Sequence, residues 1–194
     1  VISDTDLFAG TDSGGVFRST NKGTSWTEVN AGLTDKYLQA LVVSDTLLFA
    51  GTRNGVFLSS NDGTRWTAAS AGLTNRCVYA LARSCTDVLA GTWGEGVFRS
   101  TDNGASWTAA NLGLPTHATV RALTFSGMNL FAGTQADGVF LSTNNGTNWI
   151  AANTGLTSTD VRALAVSGTD LIAGTDGQGV WRRPLCEMVT SVES

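Results

Sequence analysis

The chain contains one histidine, His117, and three cysteines in 194 residues. A lone imidazole with no ligand-spaced cysteine or carboxylate cluster excludes the ordinary zinc sites, so no metal is expected. It also leaves His117 without a base-orienting partner for acid–base chemistry. No cofactor is expected either. Three thiols are too few for a disulfide scaffold. Cys77 and Cys85 flank one predicted strand, a stretch of about 26 Å when extended and beyond bridging distance. Cys186 reaches either one only if the C-terminal segment folds back, and the odd count leaves at least one thiol free or intermolecular. Charged residues make up only 14% of the chain, with a net charge of −4 and a pI near 4.8. That balance excludes a basic nucleic-acid surface. No run of 18 apolar residues is present, so membrane insertion is not expected. No stretch has helical periodicity long enough to suggest a helix.

What the chain does have is one short signature, four times over. It runs from Ser19 to Trp26, Ser59 to Trp66, Ser100 to Trp107 and Ser142 to Trp149. The tryptophans stand 40, 41 and 42 residues apart. A fixed period in this range signals a repeat architecture. Gly-Thr keeps the same beat at Gly10-Thr11, Gly51-Thr52, Gly91-Thr92, Gly133-Thr134 and Gly174-Thr175. A short apolar run precedes each pair. Gly-Val-Phe follows, or Gly-Val-Trp at Gly179-Val180-Trp181. Five repeat units result, at about 1–34, 35–74, 75–115, 116–157 and 158–183, with a tail at 184–194. Only the first four carry the signature.

Each unit reads as four short strands. In the second unit they are Leu38–Val43, Leu47–Thr52, Val56–Ser59 and Trp66–Ala69, separated by Gly-, Asn-, Asp- and Ser-rich turns. Four strands per repeat of about 40 residues predicts the blades of an all-β propeller, most simply five blades of four antiparallel strands. The signature supplies its own turn chemistry. Asn21, Asn61, Asp102 and Asn144 bond nearby backbone N–H groups. Gly23, Gly63, Gly104 and Gly146 provide the positive φ of a tight hairpin. Trp26, Trp66, Trp107 and Trp149 then re-enter the sheet and are all expected to be buried. With Ser19, Ser59, Ser100 and Ser142 these are structural residues.

Two features bear on completeness. Val1–Thr5 aligns with Val42–Thr46, so the first strand is expected to start in mid-course, with its beginning and a leader upstream. The fifth unit lacks a Trp strand, and the tail is expected to complete the last blade with Met188–Val192 as outer strand. Alternatively, the chain is part of a larger propeller.

The signature Ser-x-Asp/Asn-x-Gly-x-x-Trp resembles the Asp-box, or BNR repeat. The longer unit Ala90–Thr108 is similar to the propeller repeats of photosystem II assembly-factor-like proteins and of secreted xyloglucanases, sortilin-type receptors and sialidases. The resemblance covers nearly the whole chain and implies a propeller. In the first unit to the fourth, three boxes have Asn where the family favours Asp, and the fifth unit has Arg182-Arg183-Pro184-Leu185 in place of a box. The segment from Arg182 to Glu193 also resembles the junction before C-terminal sorting domains of type IX secreted bacterial proteins. Together these imply a secreted or cell-surface bacterial protein, with the periplasm as second choice, and no particular chemistry.

In the xyloglucanase- and sialidase-like relatives, ligands bind at the end opposite the boxes. That end holds the turns after Gly-Thr and the links between blades. Subtracting the repeat leaves Trp93 as the one tryptophan the architecture does not require. It lies beside Glu95 and suits a sugar or peptide platform, or else a ring laid over its neighbouring blade. Gln39, Tyr79, Arg121 and Arg162 share one repeat position on the innermost strand. Arg121 and Arg162 there could hold an anion, or each could pair with a local acid such as Asp160. Arg53 and Arg76 lie in loops at the same end.

A sialidase needs an arginine trio and a Tyr nucleophile with a Glu partner. Only Tyr37 and Tyr79 exist, and the repeat places no Glu beside either. The expected role is therefore non-catalytic: a monomeric scaffold that binds a protein or glycan partner on the face opposite the boxes. The alternative is a fragment of a propeller glycoside hydrolase, which would need two carboxyl groups facing a cleft.

Overall fold

The computed structural model describes residues 1–3, 5–44, 46–84 and 87–189. Their strands form five antiparallel sheets. The first contains β1 (Ile2–Ser3), β2 (Asp6–Thr11), β3 (Gly15–Ser19) and β4 (Thr27–Glu28) in sequence order. The second repeats the plan with β5 (Leu38–Ser44), β6 (Leu47–Thr52), β7 (Gly55–Ser59) and β8 (Thr67–Ala68). The third contains β9 (Val78–Arg83), β10 (Val88–Thr92), β11 (Val97–Ser100) and β12 (Thr108–Ala109). The fourth contains β13 (Val120–Ser126), β14 (Asn129–Thr134), β15 (Val139–Ser142) and β16 (Ile150–Ala151). The fifth has three strands, β17 (Val161–Ser167), β18 (Asp170–Thr175) and β19 (Gly179–Pro184). The all-β expectation holds, and the strands of the second repeat fall within a residue or two of those read from sequence.

The chain divides into two compact units. One comprises Val1–Ala90 with Ser100–Thr108, the other Gly91–Arg99 with Ala109–Ser194.

The four signature hairpins are built alike. Asn21, Asn61, Asp102 and Asn144 each accept at the backbone carbonyl from the N–H three residues on, at 3.0–3.3 Å. The two central residues have positive φ: Lys22 and Gly23 at 58° and 86°, with Asp62–Gly63, Asn103–Gly104 and Asn145–Gly146 following suit. Two successive positive φ values define the type I′ turn, whose twist matches the flanking strands. The Ser hydroxyl then bridges the turn. In the first copy Ser19 Oγ donates to Asn21 Oδ1 and accepts from Gly23 N, both at 2.9 Å, while Asn21 Oδ1 accepts from Ser25 N.

The tryptophans are held by the repeat before them. The Trp66 indole Nε1 donates to Val29 O, Trp107 to Ala69 O and Trp149 to Ala110 O, each at 2.8 Å. Their backbone N–H groups donate to Ala31, Ala71 and Leu112 O, also at 2.8 Å. These three rings are 2–3% exposed. Trp26, expected to be buried with them, is 43% exposed. The reason is visible in the other three: their indoles are covered and bonded by the preceding repeat, and the Trp26 indole has no such carbonyl among the described residues.

The apolar core follows the same logic. In the first unit Phe8 and Val16 pack with Leu38, Leu48, Phe57 and Trp66, so neighbouring sheets share one cluster. In the second unit Phe131, Leu141, Val161 and Leu171 do the same.

The tail departs from expectation. Met188–Val192 was to supply an outer strand, but Leu185–Val189 forms a short helix, α1, and Thr190–Val192 lie outside the described residues. β19 runs on to Pro184, which pairs with Asp170, so Arg182–Pro184 belong to the sheet. Proline is tolerated there because β19 is an edge strand. Leu185 and Met188, three apart, then turn the same way into the core beside Trp181, and Met188 is fully buried. A helix thus covers apolar surface that the missing fourth strand would have covered. Cys77 and Cys186 are both thiols, and Cys85 is not among the described residues.

Candidate functional site

Each four-stranded sheet has two ends. The signature hairpin joins its third and fourth strands at one end. The turn after Gly-Thr and the link to the next repeat lie at the other. The frame of that second end is constant. The Gly-Thr threonine closes the turn: Thr92 Oγ1 donates to Gly96 O and Thr134 Oγ1 to Gly138 O, both at 2.9 Å. An asparagine four residues after the signature Trp clamps the turn from the side. Asn111 Oδ1 accepts from Val97 N at 2.7 Å, and its Nδ2 donates to Glu95 O at 2.8 Å. Asn153 makes the same pair of bonds to Val139 N and Asp137 O, and Asn30 to Val16 N and Gly14 O. In the second repeat Ser70 Oγ accepts from Val56 N at 2.9 Å and donates to Val56 O at 3.1 Å, so both bonds go to one residue. The sequence reading missed this clamp. Its signal is the constant offset of four from the tryptophan, filled by Asn, Ser, Asn and Asn.

Set on that frame, the turn Trp93–Gly96 is fastened on both flanks. Gly94 N donates to Thr119 Oγ1 at 3.0 Å and Gly96 N to Ala118 O at 2.9 Å. Gly96 has φ 71°, and a Cβ there would lie 2.3 Å from Asn111 Oδ1. Only glycine fits. The facing link, Gly113–Thr119, is one residue longer than its counterpart Gly155–Asp160. It bends through a turn closed by Ala118 N to Pro115 O at 3.2 Å, with His117 at φ 62°. A type II turn requires positive φ at that position, and histidine tolerates it better than most residues.

Between turn and link lies a groove of about 300 Å³, lined by Gly94, Glu95, Gly96, Asn111, Leu114, Pro115, Thr116 and His117. Leu114 and Pro115 give it apolar surface. Glu95, Thr116 and His117 bring a carboxylate, a hydroxyl and an imidazole, all exposed. Trp93, on the same turn, is 58% exposed. The structure therefore brings Glu95 together with His117, which the sequence had assigned only a loop position.

The other candidates sit elsewhere. Gln39, Arg121 and Arg162 are the residues skipped in the pairing of their strands, between Leu38 and Ala40, Val120 and Ala122, and Val161 and Ala163. They are β-bulge residues, and a bulge re-aims its side chain. Arg162 donates to Asp160 at 3.0 Å and to Asp176 at 2.7 Å. Those acids raise its pKa, Asp176 most. Local acids hold Arg162, one of the two outcomes the sequence left open. Arg121 donates to Gln135 Oε1 at 2.7 Å. Tyr79 lies on β9 and is half-buried. In the first unit Arg53 bonds Asp12 at 3.2 Å and stacks 4.6 Å over the ring of Tyr37. Arg76 is exposed on the link before β9.

At the hairpin end, a second groove of about 270 Å³ borders Thr67–Ala71 and Asp102–Ala105. Its carboxylate is already engaged. Asp102 accepts from Ser106 Oγ at 2.5 Å, Ser106 N at 2.8 Å and Ser100 Oγ at 2.7 Å. These bonds, those from Ser106 foremost, lower its pKa to about 2.

Residues 3–129, more than half of the chain, match the DUF6242 β-propeller domain. No protein of curated function matches the sequence. Among solved structures, the extracellular domain of a one component system from B. thetaiotaomicron is similar at 16% identity and TM-score 0.76, covering 93% of this chain and 26% of its own. An ancestral GH74 enzyme is similar at 23% identity and TM-score 0.73, covering 88% and 26%. The GH74 xyloglucanase from Xanthomonas campestris is similar at 19% identity and TM-score 0.70, covering 94% and 35%. These likenesses concern the fold, and the chain spans about a quarter to a third of the length of those proteins.

Proposed function

The chain belongs to the DUF6242 β-propeller domain family, and from that premise we propose that it is a secreted, non-catalytic Asp-box propeller that binds a protein or glycan partner through the end opposite its boxes. One observation carries the reading. Two departures from the repeat meet here: the lengthened link with His117 lines the groove opposite Glu95, and Trp93 stands on the same turn as Glu95. Variation confined to loops on a fixed frame is where binding is grafted. The similarity to extracellular domains supports a location outside the cytoplasm, and no described helix is long and apolar enough to cross a membrane.

The second reading is a module of a propeller glycoside hydrolase. Two carboxylates favour it. Glu95 and Asp137 hold the same place in successive turns, and neither side chain has a hydrogen-bonding or ionic partner among the described residues. A glycosidase needs such a pair across a cleft.

An array of oligosaccharides and peptides, run with the whole chain and with Trp93→Ala, tests the first reading. The same oligosaccharides in a hydrolysis assay test the second. A ligand retained by the whole chain and lost by Trp93→Ala, without turnover, is the expected result. Turnover abolished by Glu95→Gln or Asp137→Asn would reverse the assignment. A ligand whose binding ignores Trp93 but fails in a box variant of unchanged stability would place the site at the other end.

A further inference from the structure

Resting on the binding role assigned to this end, we infer that the Trp93 groove receives a lysine or arginine side chain presented by a protein partner. Charge is the first reason. Glu95 and Asp137 stand apart from the other described carboxylates, which all have partners. Asp6, Asp12, Glu28, Asp62, Asp160, Asp170, Asp176 and Glu187 face a Lys or Arg. Asp35 and Asp102 accept hydrogen bonds, and Asp87 is engaged as well. An unpaired carboxylate at the rim of a groove is a site for a cation.

Shape is the second reason. Leu114 and Pro115 offer apolar surface for the aliphatic stem of Lys or Arg, which buries its methylenes while the charged head stays polar. Trp93 shares a four-residue turn with Glu95 and is 58% exposed, so an indole stands at the edge of the groove that holds the carboxylate. Trp is the aromatic that attracts a cation most strongly. At about 300 Å³ the groove fits one side chain. The net charge of −4 steers a basic partner toward the chain.

The test uses the whole 194-residue chain and four capped pentapeptides, Gly-Gly-X-Gly-Gly, with X as lysine, arginine, norleucine or glutamate. The indole N–H resonance of Trp93, identified by its loss in Trp93→Leu, reports binding. The lysine and arginine peptides should shift it, and the norleucine and glutamate peptides should not. Affinity should fall several-fold between 50 and 300 mM salt, since the carboxylate is exposed. Glu95→Gln should weaken the lysine peptide about tenfold, with an unchanged melting temperature. Lys22→Ala, on a box hairpin, should leave binding intact. Equal binding of norleucine and lysine, or undiminished binding by Glu95→Gln, overturns the inference. So does a Trp93 shift caused by neutral oligosaccharides and not by the lysine peptide, a result that would leave the proposed binding end standing. No shift at Trp93 with any member of the array overturns both.

Discussion

Four tryptophans in one motif, covered to different degrees, make an internal experiment on what stabilises the repeats. Trp107 is 3% exposed, and its Nε1 donates to Ala69 O at 2.8 Å. Trp107→Ala removes a buried ring that the neighbouring repeat cannot collapse to fill, at about 3–5 kcal/mol. Trp66→Ala and Trp149→Ala should cost the same, because their exposure and indole bonds match. Trp26 sits in the same hairpin but is 43% exposed. Its removal opens no closed cavity. At ~25 cal/mol per Å² over roughly half of the ~200 Å² such a side chain can bury, Trp26→Ala should cost about 2–3 kcal/mol. Replacement by Phe separates the hydrogen bond from the area. Trp107→Phe leaves the Ala69 carbonyl without its donor, at about 1–3 kcal/mol, whereas Trp26→Phe should fall within about 0.5 kcal/mol of the parent. Urea unfolding followed by far-UV circular dichroism measures all six variants without relying on the deleted fluorophores. The decisive comparison is Trp26→Ala against Trp107→Ala. Equal costs would mean that the hairpin itself, and not cover from the preceding repeat, gives the tryptophan its value, and the account of the box would be wrong.

Acid should act on one box more than on the others. The folded pKa of Asp102, about 2, lies below the ordinary aspartate value. The folded state therefore binds fewer protons than the unfolded one. Its contribution is full above about pH 4 and is lost as the pH falls toward 2. Asp102→Asn should keep the turn, as Asn21 does with Ser19 and Ser25, and acid titration should show a flatter stability profile in that window. Asn111→Ala should strand the fully buried Val97 N–H and release Glu95 O, costing about 1–3 kcal/mol in urea. It should also weaken any ligand of the Trp93 groove, whereas Asn30→Ala, in the first unit, should lower stability alone. His117→Gly relieves a positive φ and should be neutral to stabilising by about 1 kcal/mol in thermal melts.

Most of the fold could be read from spacing, because each repeat writes the same local chemistry. Strand limits, the positive φ of Gly23 and its counterparts, and the Ser–Asn bridge all depend on residues within about ten positions of one another. What escaped the sequence depends on distant residues or on substitutions that hide a pattern. The exposure of Trp26 is set by what packs over it, and its own motif is identical to those of buried tryptophans. Ser70 interrupts the series Asn30, Asn111 and Asn153, so the clamp looks like surface variation until its bonds are seen. The positive φ of Lys22, Asp62, Asn103 and Asn145 was masked by the variety of residues there, since the following glycine seemed to satisfy the turn alone. In the tail, the β-branched residues near 189–192 suggested a strand. The pairing of Leu185 with Met188, three apart, was the stronger signal and belonged to a helix. For the site, Trp93 and Glu95 were found by subtracting the repeat. His117 was not joined to them, because the facing of turn and link is a tertiary fact.

The frame also predicts that its binding elements are separable. The turn Gln135–Gly138 has the same four-residue length as Trp93–Gly96. Three of its bonds match, with Thr134 Oγ1 on Gly138 O, Gly138 N on Thr159 O and Asn153 on Val139 N and Asp137 O. Gly138 already has φ 85°, and rewriting the turn as Trp-Gly-Glu-Gly puts glycine at position 136, where the Trp93 turn has Gly94 at φ 70°. Ala136 and Asp137 make no side-chain bond among the described residues, so their changes should move stability by no more than about 0.5 kcal/mol each, while Gln135→Trp also removes an acceptor of Arg121 and should cost about 1 kcal/mol. The fourth repeat's link, Gly155–Asp160, lacks the extra residue and the proline of Gly113–Thr119. If a ligand needs the apolar wall of Leu114 and Pro115, the transplanted turn should leave binding stoichiometry at one per chain. Rewriting the fourth link as the seven-residue Gly-Leu-Pro-Thr-His-Ala-Thr should then raise it to two, read by calorimetry. A second site created by the turn alone would show that the link contributes nothing. The inserted residue would then be a length variation without a role, and the coincidence of two departures from the repeat at one groove would lose its meaning.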